Sequence, residues 1–205
     1  MRAKSVGHKA QGEKQGLIFV ISGPSGTGKT TLLAKLHQQP GLKHMLVRSI
    51  SLTTRPRRSG ERNGRDYFFV SQKQFQQKIR QQKVLEYTKY LGYYYGTLKD
   101  FIVVKLKKGK SPVLCLDLKG AQSVKRLFPG KTTTIFVVPP SLGVLRDRIR
   151  RRCGRTHAKE IKQRLRLAKK EMASAAKYDY SVLNKDLDKA AEQLNRIIIQ
   201  EIKQT

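Results

Sequence analysis

Two short stretches hold most of the chemistry in this 205-residue sequence. "SLTTRPRRSGERNGRDYFF" (51–69) sets Arg55, Arg57, Arg58, Arg62 and Arg65 among Ser51, Thr53, Thr54, Ser59 and Tyr67. Guanidinium forks bond two oxygens of an oxyanion at once, and hydroxyls add single donors. The pattern fits phosphate, carried either by a nucleic-acid backbone or by a small ligand. "GPSGTGKT" (23–30) fits G-x-x-x-x-G-K-[ST]. Its glycines let Gly23, Pro24, Ser25, Gly26, Thr27 and Gly28 curl so that backbone N–H groups point at phosphate oxygens. Lys29 then places a charge on the β- and γ-phosphates, the Thr30 hydroxyl can ligate Mg²⁺, and Thr31 follows at the helix start. The partial positive charge of that helix N-terminus adds to the attraction. This loop predicts a bound nucleoside triphosphate.

Such a loop works only between a strand and a helix, and the flanking residues supply both. "GLIFVIS" (16–22) is an apolar, β-branched run that stops at glycine, and "KTTLLAKLHQQ" (29–39) spaces Leu32, Leu33 and Leu36 for a helix. "PVLCLDL" (112–118) and "TTIFVV" (133–138) read as two more buried strands, each followed by a helical stretch, near 119–127 and 141–152. Strands alternating with helices predict an α/β fold, a parallel sheet wrapped by helices. Between 48 and 97 the texture changes to closely spaced Tyr, Thr, Gly and Arg, which suits an inserted, β-rich lobe. Apolar stripes over 159–176 and 187–202 predict helices that pack on the core.

Composition adds bounds. Lys and Arg number 44 against 14 Asp and Glu, a formal charge of +30. That charge predicts affinity for polyanions in general and carries no information on fold. No zinc-finger spacing and no aromatic-rich RNA-binding stretch accompanies it, so no specific nucleic-acid partner is read. Cys115 and Cys153 lie far apart and match no metal-ligand pattern, which favours a reduced, cytoplasmic setting. No apolar run approaches the ~20 residues of a membrane span. "MRAKSVGHKAQGEKQ" (1–15) reads as a disordered leader before a single domain over 16–205.

Five separated motifs, "ISGPSGTGKTTLL", "SLTTRPRRSGERNGRDYFF", "LEYTKYLGYYYGT", "LDLKGAQSV" and "KYDYSVLN", occur in an order that resembles the guanylate kinases, from about Leu17 to the C-terminus. The resemblance implies transfer of the ATP γ-phosphate to GMP, and to dGMP, with Mg²⁺ accompanying ATP. It also implies a core (16–47, 98–145 and 177–205), a GMP-binding lobe (48–97) and a lid (146–176). Ser51, Arg55, Arg58 and Tyr67 are then expected to hold the GMP phosphate. Arg57, Arg62 and Arg65 receive no such role and read as a solvated face. Glu86 matches the family's acid facing guanine, with Tyr95, Thr97 and Asp117 around it. A carboxylate suits guanine's adjacent N1–H and N2–H donors, whereas adenine would oppose lone pair to lone pair. Tyr93 and Tyr94 read as lobe packing. Asn184, in "KYDYSVLN", falls where the family contacts adenine.

Residues 146–170 contain twelve Lys and Arg against Asp147 and Glu160. On the resemblance they form a lid whose arginines reach over the phosphates, matched best by Arg148, Arg152 and Arg164. "RRCGRTHAKE" departs from the family's "GRGT" followed by acids, so Arg151 or Arg155 can stand in for Arg152. A second departure is Cys115, which takes the first acidic position of the family's "LDxD" strand end while Asp117 keeps the second. A thiol is a poor neighbour for a hard ion, so either Thr30 and the ATP phosphates suffice, or Cys115 is a buried strand residue without a role. Two other function classes compete with phosphotransfer to GMP. One is a non-catalytic phosphopeptide-binding module, which needs neither the intact loop nor the arginine-rich lid. The other is a P-loop kinase for a different acceptor, which Glu86 and the arginine stretch argue against. Monomer and homodimer both remain open.

Overall fold

The computed structural model describes residues 16–153 and 158–204. The expectations for a leader over 1–15 and for Arg155 fall outside the described residues, as does the side chain of Arg152.

β1 (Ile18–Ser22) is buried along its whole length, and α1 (Lys29–Gln38) begins six residues beyond Gly23. β2 (Leu46–Arg48), β7 (Ser111–Cys115), β8 (Thr132–Val138) and β9 (Tyr180–Leu183) join β1 in a parallel sheet of order β2-β7-β1-β8-β9. Its core follows from the period-two alternation of strand side chains. Phe19 and Ile21 face one side, where they meet Leu32 and Leu36 of α1 and Leu194 and Ile198 of α7 (Leu187–Lys203). Ile18 and Val20 face the other, against Ile102 of α3 (Lys99–Lys107) and Val124 of α4 (Leu118–Leu127). A sheet buried on both faces is what a parallel α/β arrangement requires.

The second sheet has the order β4-β3-β6-β5 and comprises β3 (Leu52–Thr53), β4 (Phe68–Phe69), β5 (Val84–Tyr90) and β6 (Tyr93–Leu98). α2 (Gln72–Arg80) covers it through Phe75, which is fully buried and stacks on Tyr94 with ring centroids 5.4 Å apart. Two further helices, α5 (Leu142–Cys153) and α6 (Ala158–Met172), pack on each other through Leu145, Ile149 and Ala168.

Two boundaries correct the sequence reading. The strand expected over 112–118 stops at Cys115, because Asp117 turns the chain into α4 by accepting a hydrogen bond from the Gly120 N–H at 2.9 Å. The helix expected over 159–176 stops at Met172, and a separate 3₁₀ turn follows over Ala175–Lys177. α2, α3 and β9 were not anticipated. Ser71 and Gln74 form a reciprocal capping box on α2, a signal present in "SQKQ", whereas α3 starts at Leu98 with no side-chain cap to announce it.

Asp179 fixes β8 and α4 to the segment entering β9. Its carboxylate accepts from the Thr134 N–H at 2.9 Å and hydroxyl at 2.8 Å, and pairs with Lys125. Burial pushes its pKa up, but the Lys125 ammonium and the Thr134 donors hold it below the ordinary carboxylate value. A depressed carboxylate pKa stabilises the fold above the unfolded value and loses that contribution as pH falls through the folded one. Asp179→Ala is therefore expected to cost about 1–3 kcal/mol at neutral pH. The gap from the wild type should shrink as urea denaturation is repeated at acidic pH.

Candidate functional site

The C-terminal ends of the parallel strands, the second sheet and the α5–α6 pair enclose one cleft of about 1310 Å³. A single drug-sized ligand needs about 300–1,000 Å³, so this cleft has room for two nucleotides. Ligands of open α/β sheets bind at this edge, beyond the carboxyl ends of the strands.

The phosphate loop leaves β1 through Gly23, Gly26 and Gly28, all at positive φ. Gly28 cannot carry a side chain, because a Cβ there would lie 2.5 Å from the Asn184 amide nitrogen. That amide nitrogen donates to the Thr27 carbonyl at 2.5 Å, and the Thr27 hydroxyl donates to the Pro24 carbonyl at 3.0 Å. Asn184, placed by the sequence reading against adenine, is 3% exposed and holds the loop itself. Lys29 Nζ donates to the carbonyls of Gly23 at 2.5 Å and Pro24 at 3.0 Å, at the mouth of the cradle. Arg148, from α5, reaches the carbonyls of Thr27 and Asn184, both at 3.4 Å. Arg164, from α6, donates to the Ser25 hydroxyl at 3.0 Å and pairs with Glu160 at 2.7 Å. The loop thus has cations on it from three elements, and Thr30 and Thr31 line the same wall.

Ser51, Arg58, Tyr67 and Tyr95 face the cleft from the second sheet and its long loop. Arg55, beside them, is 9% exposed and lies 5.4 Å from the Tyr67 ring centroid and 5.7 Å from that of Phe69. Its Nη2 donates to both Glu61 oxygens, at 2.7 and 2.9 Å, its Nη1 donates to the Pro56 carbonyl at 2.7 Å, and Glu61 also accepts the Arg58 N–H at 2.9 Å. Burial works against the charge on Arg55, but Glu61 raises its pKa overall. Sequence reasoning missed Glu61, whose role depends on a fold of the loop that no local pattern states. Arg57 is exposed, as expected of a solvated arginine, and stands at the edge of the cleft. Arg65 turns to Asp66 and the Gly60 carbonyl, and the Arg62 N–H also bonds Asp66.

Glu86 closes the far end of the cleft, 7% exposed. Thr97 is fully buried and donates its hydroxyl to Glu86 Oε1 at 2.6 Å, so it acts through the carboxylate. Burial pushes the Glu86 pKa up to about 7; the Thr97 hydrogen bond opposes this and the negative field of Asp117 adds to it. Asp117, while capping α4, also lines the cleft. Tyr93, expected to pack in the lobe, stands 38% exposed at the cleft edge.

Two further residues were not singled out in the sequence. Tyr90, from β5, lines the cleft, and its pKa is pushed up to about 12 by burial first and by the nearby Glu171 charge second. Glu171, near the end of α6, has a buried Oε2 with no hydrogen-bond partner among the described residues. Burial and Asp117 raise its pKa, while Lys29 acts against them. Cys115 ends β7 with its side chain accessible from the cleft, which excludes the reading of a strand residue sealed in the core. The protein packed around it still pushes the thiol pKa up, against Lys29 and Arg48.

The sequence profile of the family described as guanylate kinase matches residues 15–201. A guanylate kinase of Wolbachia pipientis wMel is 41% identical, with 92% of each chain covered. One from Caldanaerobacter subterraneus subsp. tengcongensis is 43% identical over 92% of this chain and 89% of its own. The crystal structure of guanylate kinase from Anaplasma phagocytophilum superposes with a TM-score of 0.73 at 29% identity, covering 92% of this chain and 87% of that one.

The site contains a further test of its packing. A Cβ on Gly120 would lie 2.8 Å from Glu86 Oε2 and 3.1 Å from the Leu116 Cβ. Gly120→Ala gains about 1 kcal/mol of helix propensity, yet crowding a packed contact costs about 1–3 kcal/mol. Net destabilisation is expected in chemical denaturation, and a net gain would show that the Glu86 side chain yields freely.

Proposed function

We propose a division of labour in the cleft that starts from one premise: the chain belongs to the guanylate kinase family, and it transfers the γ-phosphate of ATP to GMP. The observation that carries the residue roles is that the phosphate loop, the Arg55 pocket and the buried Glu86 lie along a single cleft.

Gly23 to Thr31 cradle the ATP phosphates, and Asn184 keeps the loop in shape through Thr27. Ser51, Arg55, Arg58 and Tyr67 hold the GMP phosphate. Glu86, kept in place by Thr97 and flanked by Tyr95 and Asp117, accepts the N1–H and N2–H of guanine. An oxygen of the GMP phosphate attacks the γ-phosphorus, the bond to the β-γ bridging oxygen breaks, and ADP leaves. Phosphoryl transfer leaves little covalent work for protein groups, so positioning and charge carry the catalysis. Lys29, Arg148 and Arg164 supply that charge. Arg152, with Arg151 and Arg155 as its alternatives, extends the lid. Lys29 and Arg148 rest on neutral carbonyls, and moving them onto phosphate oxygens exchanges neutral acceptors for charged ones, which bond about twice as strongly.

The donor set fits Mg²⁺: the Thr30 hydroxyl, the Asp117 carboxylate and the unpaired Glu171 oxygen are all hard oxygen donors on one cleft. The ion would neutralise charge on the β- and γ-phosphates when bound, with Thr30 as its protein ligand. The residues assigned to the acceptor contact its base and phosphate and none its 2′-hydroxyl, so dGMP serves as well. The free Cys115 thiol and the dependence on ATP favour a cytoplasmic setting. The +30 charge adds general affinity for polyanions.

The direct experiment supplies ATP and Mg²⁺ with GMP, AMP, UMP or TMP separately and follows ADP. Turnover with GMP alone is expected, and equal turnover with AMP would remove Glu86 from its role. The pH dependence is sharper. Glu86 accepts both guanine donors only when ionised, and its pKa is about 7, so kcat/KM for GMP should rise as pH increases through about 7. Glu86→Gln should flatten that rise and lower kcat/KM for GMP by about 10²-fold or more, since it sets an amide donor against guanine.

A further inference from the structure

Lys29, Arg148 and Arg164 each bond protein oxygens at the phosphate loop, but one acceptor beside them has no donor among the described residues. Glu171 Oε2 is buried and makes no hydrogen bond among the described residues. Leaving a carboxylate oxygen desolvated without a donor is costly, and the neighbouring side chains do not relieve it. The Tyr90 hydroxyl feels the Glu171 charge but makes no hydrogen bond to its Oε2. Arg164, seven residues earlier and so on the same face of α6, is paired with Glu160 and Ser25. Lys29 acts on Glu171 through its charge, but its ammonium bonds the Gly23 and Pro24 carbonyls and is drawn to phosphate when ATP binds.

ATP makes the problem worse, because it brings phosphate charge to a wall that already carries Asp117 and Glu171. A cation, or water polarised by one, reconciles these acids with the phosphates. On the family resemblance the end of β7 carries an acid for this purpose, and here it carries Cys115, a weak hydrogen-bond acceptor.

We propose that the Glu171 carboxylate, delivered by α6, accepts hydrogen bonds from the water shell of the Mg²⁺ that accompanies ATP, in place of the acid missing at Cys115. The inference rests on the reading that Mg²⁺ binds at Thr30. It explains why the chain tolerates a thiol at the end of β7: the outer-sphere acceptor comes from a different element. It also makes α6 a sensor of the metal, since the helix that carries Arg164 onto the loop carries Glu171 toward the ion.

Calorimetric ATP binding without GMP tests this apart from turnover, in EDTA and in excess Mg²⁺. In the wild type Mg²⁺ should tighten ATP binding. The isosteric Glu171→Gln should lose about tenfold or more of that tightening, the usual effect of removing an outer-shell partner, with metal-free affinity unchanged. Adding Cys115→Asp to Glu171→Gln should restore most of it. Unchanged tightening in Glu171→Gln overturns the proposal, as does an equal loss with and without Mg²⁺, which marks a structural role. No recovery in the double variant overturns the exchange between the two positions. Thr30→Ala separates the two layers. If it also leaves the tightening intact, the Mg²⁺ assignment itself fails; if it abolishes the tightening while Glu171→Gln does not, only the Glu171 inference fails.

Discussion

A site built to bind phosphate must first survive without it, and the arrangement of the cleft depends on how its positive charges are held in that state. Like charges converging on an empty cavity repel and lose hydration together. Here four of them have local acceptors. Arg55 pairs with Glu61, Arg164 with Glu160, Lys29 rests on two loop carbonyls, and Arg148 on two others. The acceptors differ in kind, and the difference sorts the cations. Lys29 and Arg148, on neutral dipoles, lose little by moving to phosphate. Arg55 and Arg164, on carboxylates, are better served by staying oriented and offering phosphate the donors they have to spare. Positioning and mobility are thus set by whether the partner is a carbonyl or an acid.

The second constraint is the sheet. Parallel strands point their carboxyl ends the same way, so Gly23 after β1, Asp117 after β7 and Asn184 after β9 converge without any side chain being strained to reach. Asn184 completes the loop by bonding Thr27, over 150 residues away in sequence, and the Glu201 carboxylate ties α7 to Thr133 and Tyr180 across the same strands. The phosphate loop is therefore shaped by glycine φ angles but anchored by the last strand of the sheet.

What was legible in the sequence is what chemistry states locally. The loop glycines, Lys29 and Thr30 are adjacent, and their flanking strand and helix are written in apolar runs of the right period. The arginine stretch read locally as a phosphate site without saying whose phosphate, and Glu86 was legible only beside the family's motifs, because one carboxylate among polar residues carries no local signal. Glu61, Glu160 and Glu171 were illegible for a common reason: each matters through a partner or a vacancy created by folding. Thr97 and Asn184 were singled out, but their hydrogen bonds to Glu86 and Thr27 were not foreseen. Side chains of such types read alike whether they touch a substrate or hold the group that does. Helix ends followed the same rule, with Asp117 visible as an acid and invisible as a cap.

The same view accounts for how so basic a chain folds around so few acids. Glu61, Glu160 and Asp179 pair with cations that would otherwise be poorly placed, and Asp117 and Asp186 cap helices. Glu86 and Glu171 face the cleft. Lys107, Lys108, Lys119, Lys131, Lys169 and Lys170 are exposed, where water and salt screen them over about 10 Å. The excess charge is thus carried largely where it costs little, and the acids stand where a position needs a negative charge. A site phosphate that enters this field meets cations already oriented by acids, and the acids most exposed to its charge are the ones that call for a metal.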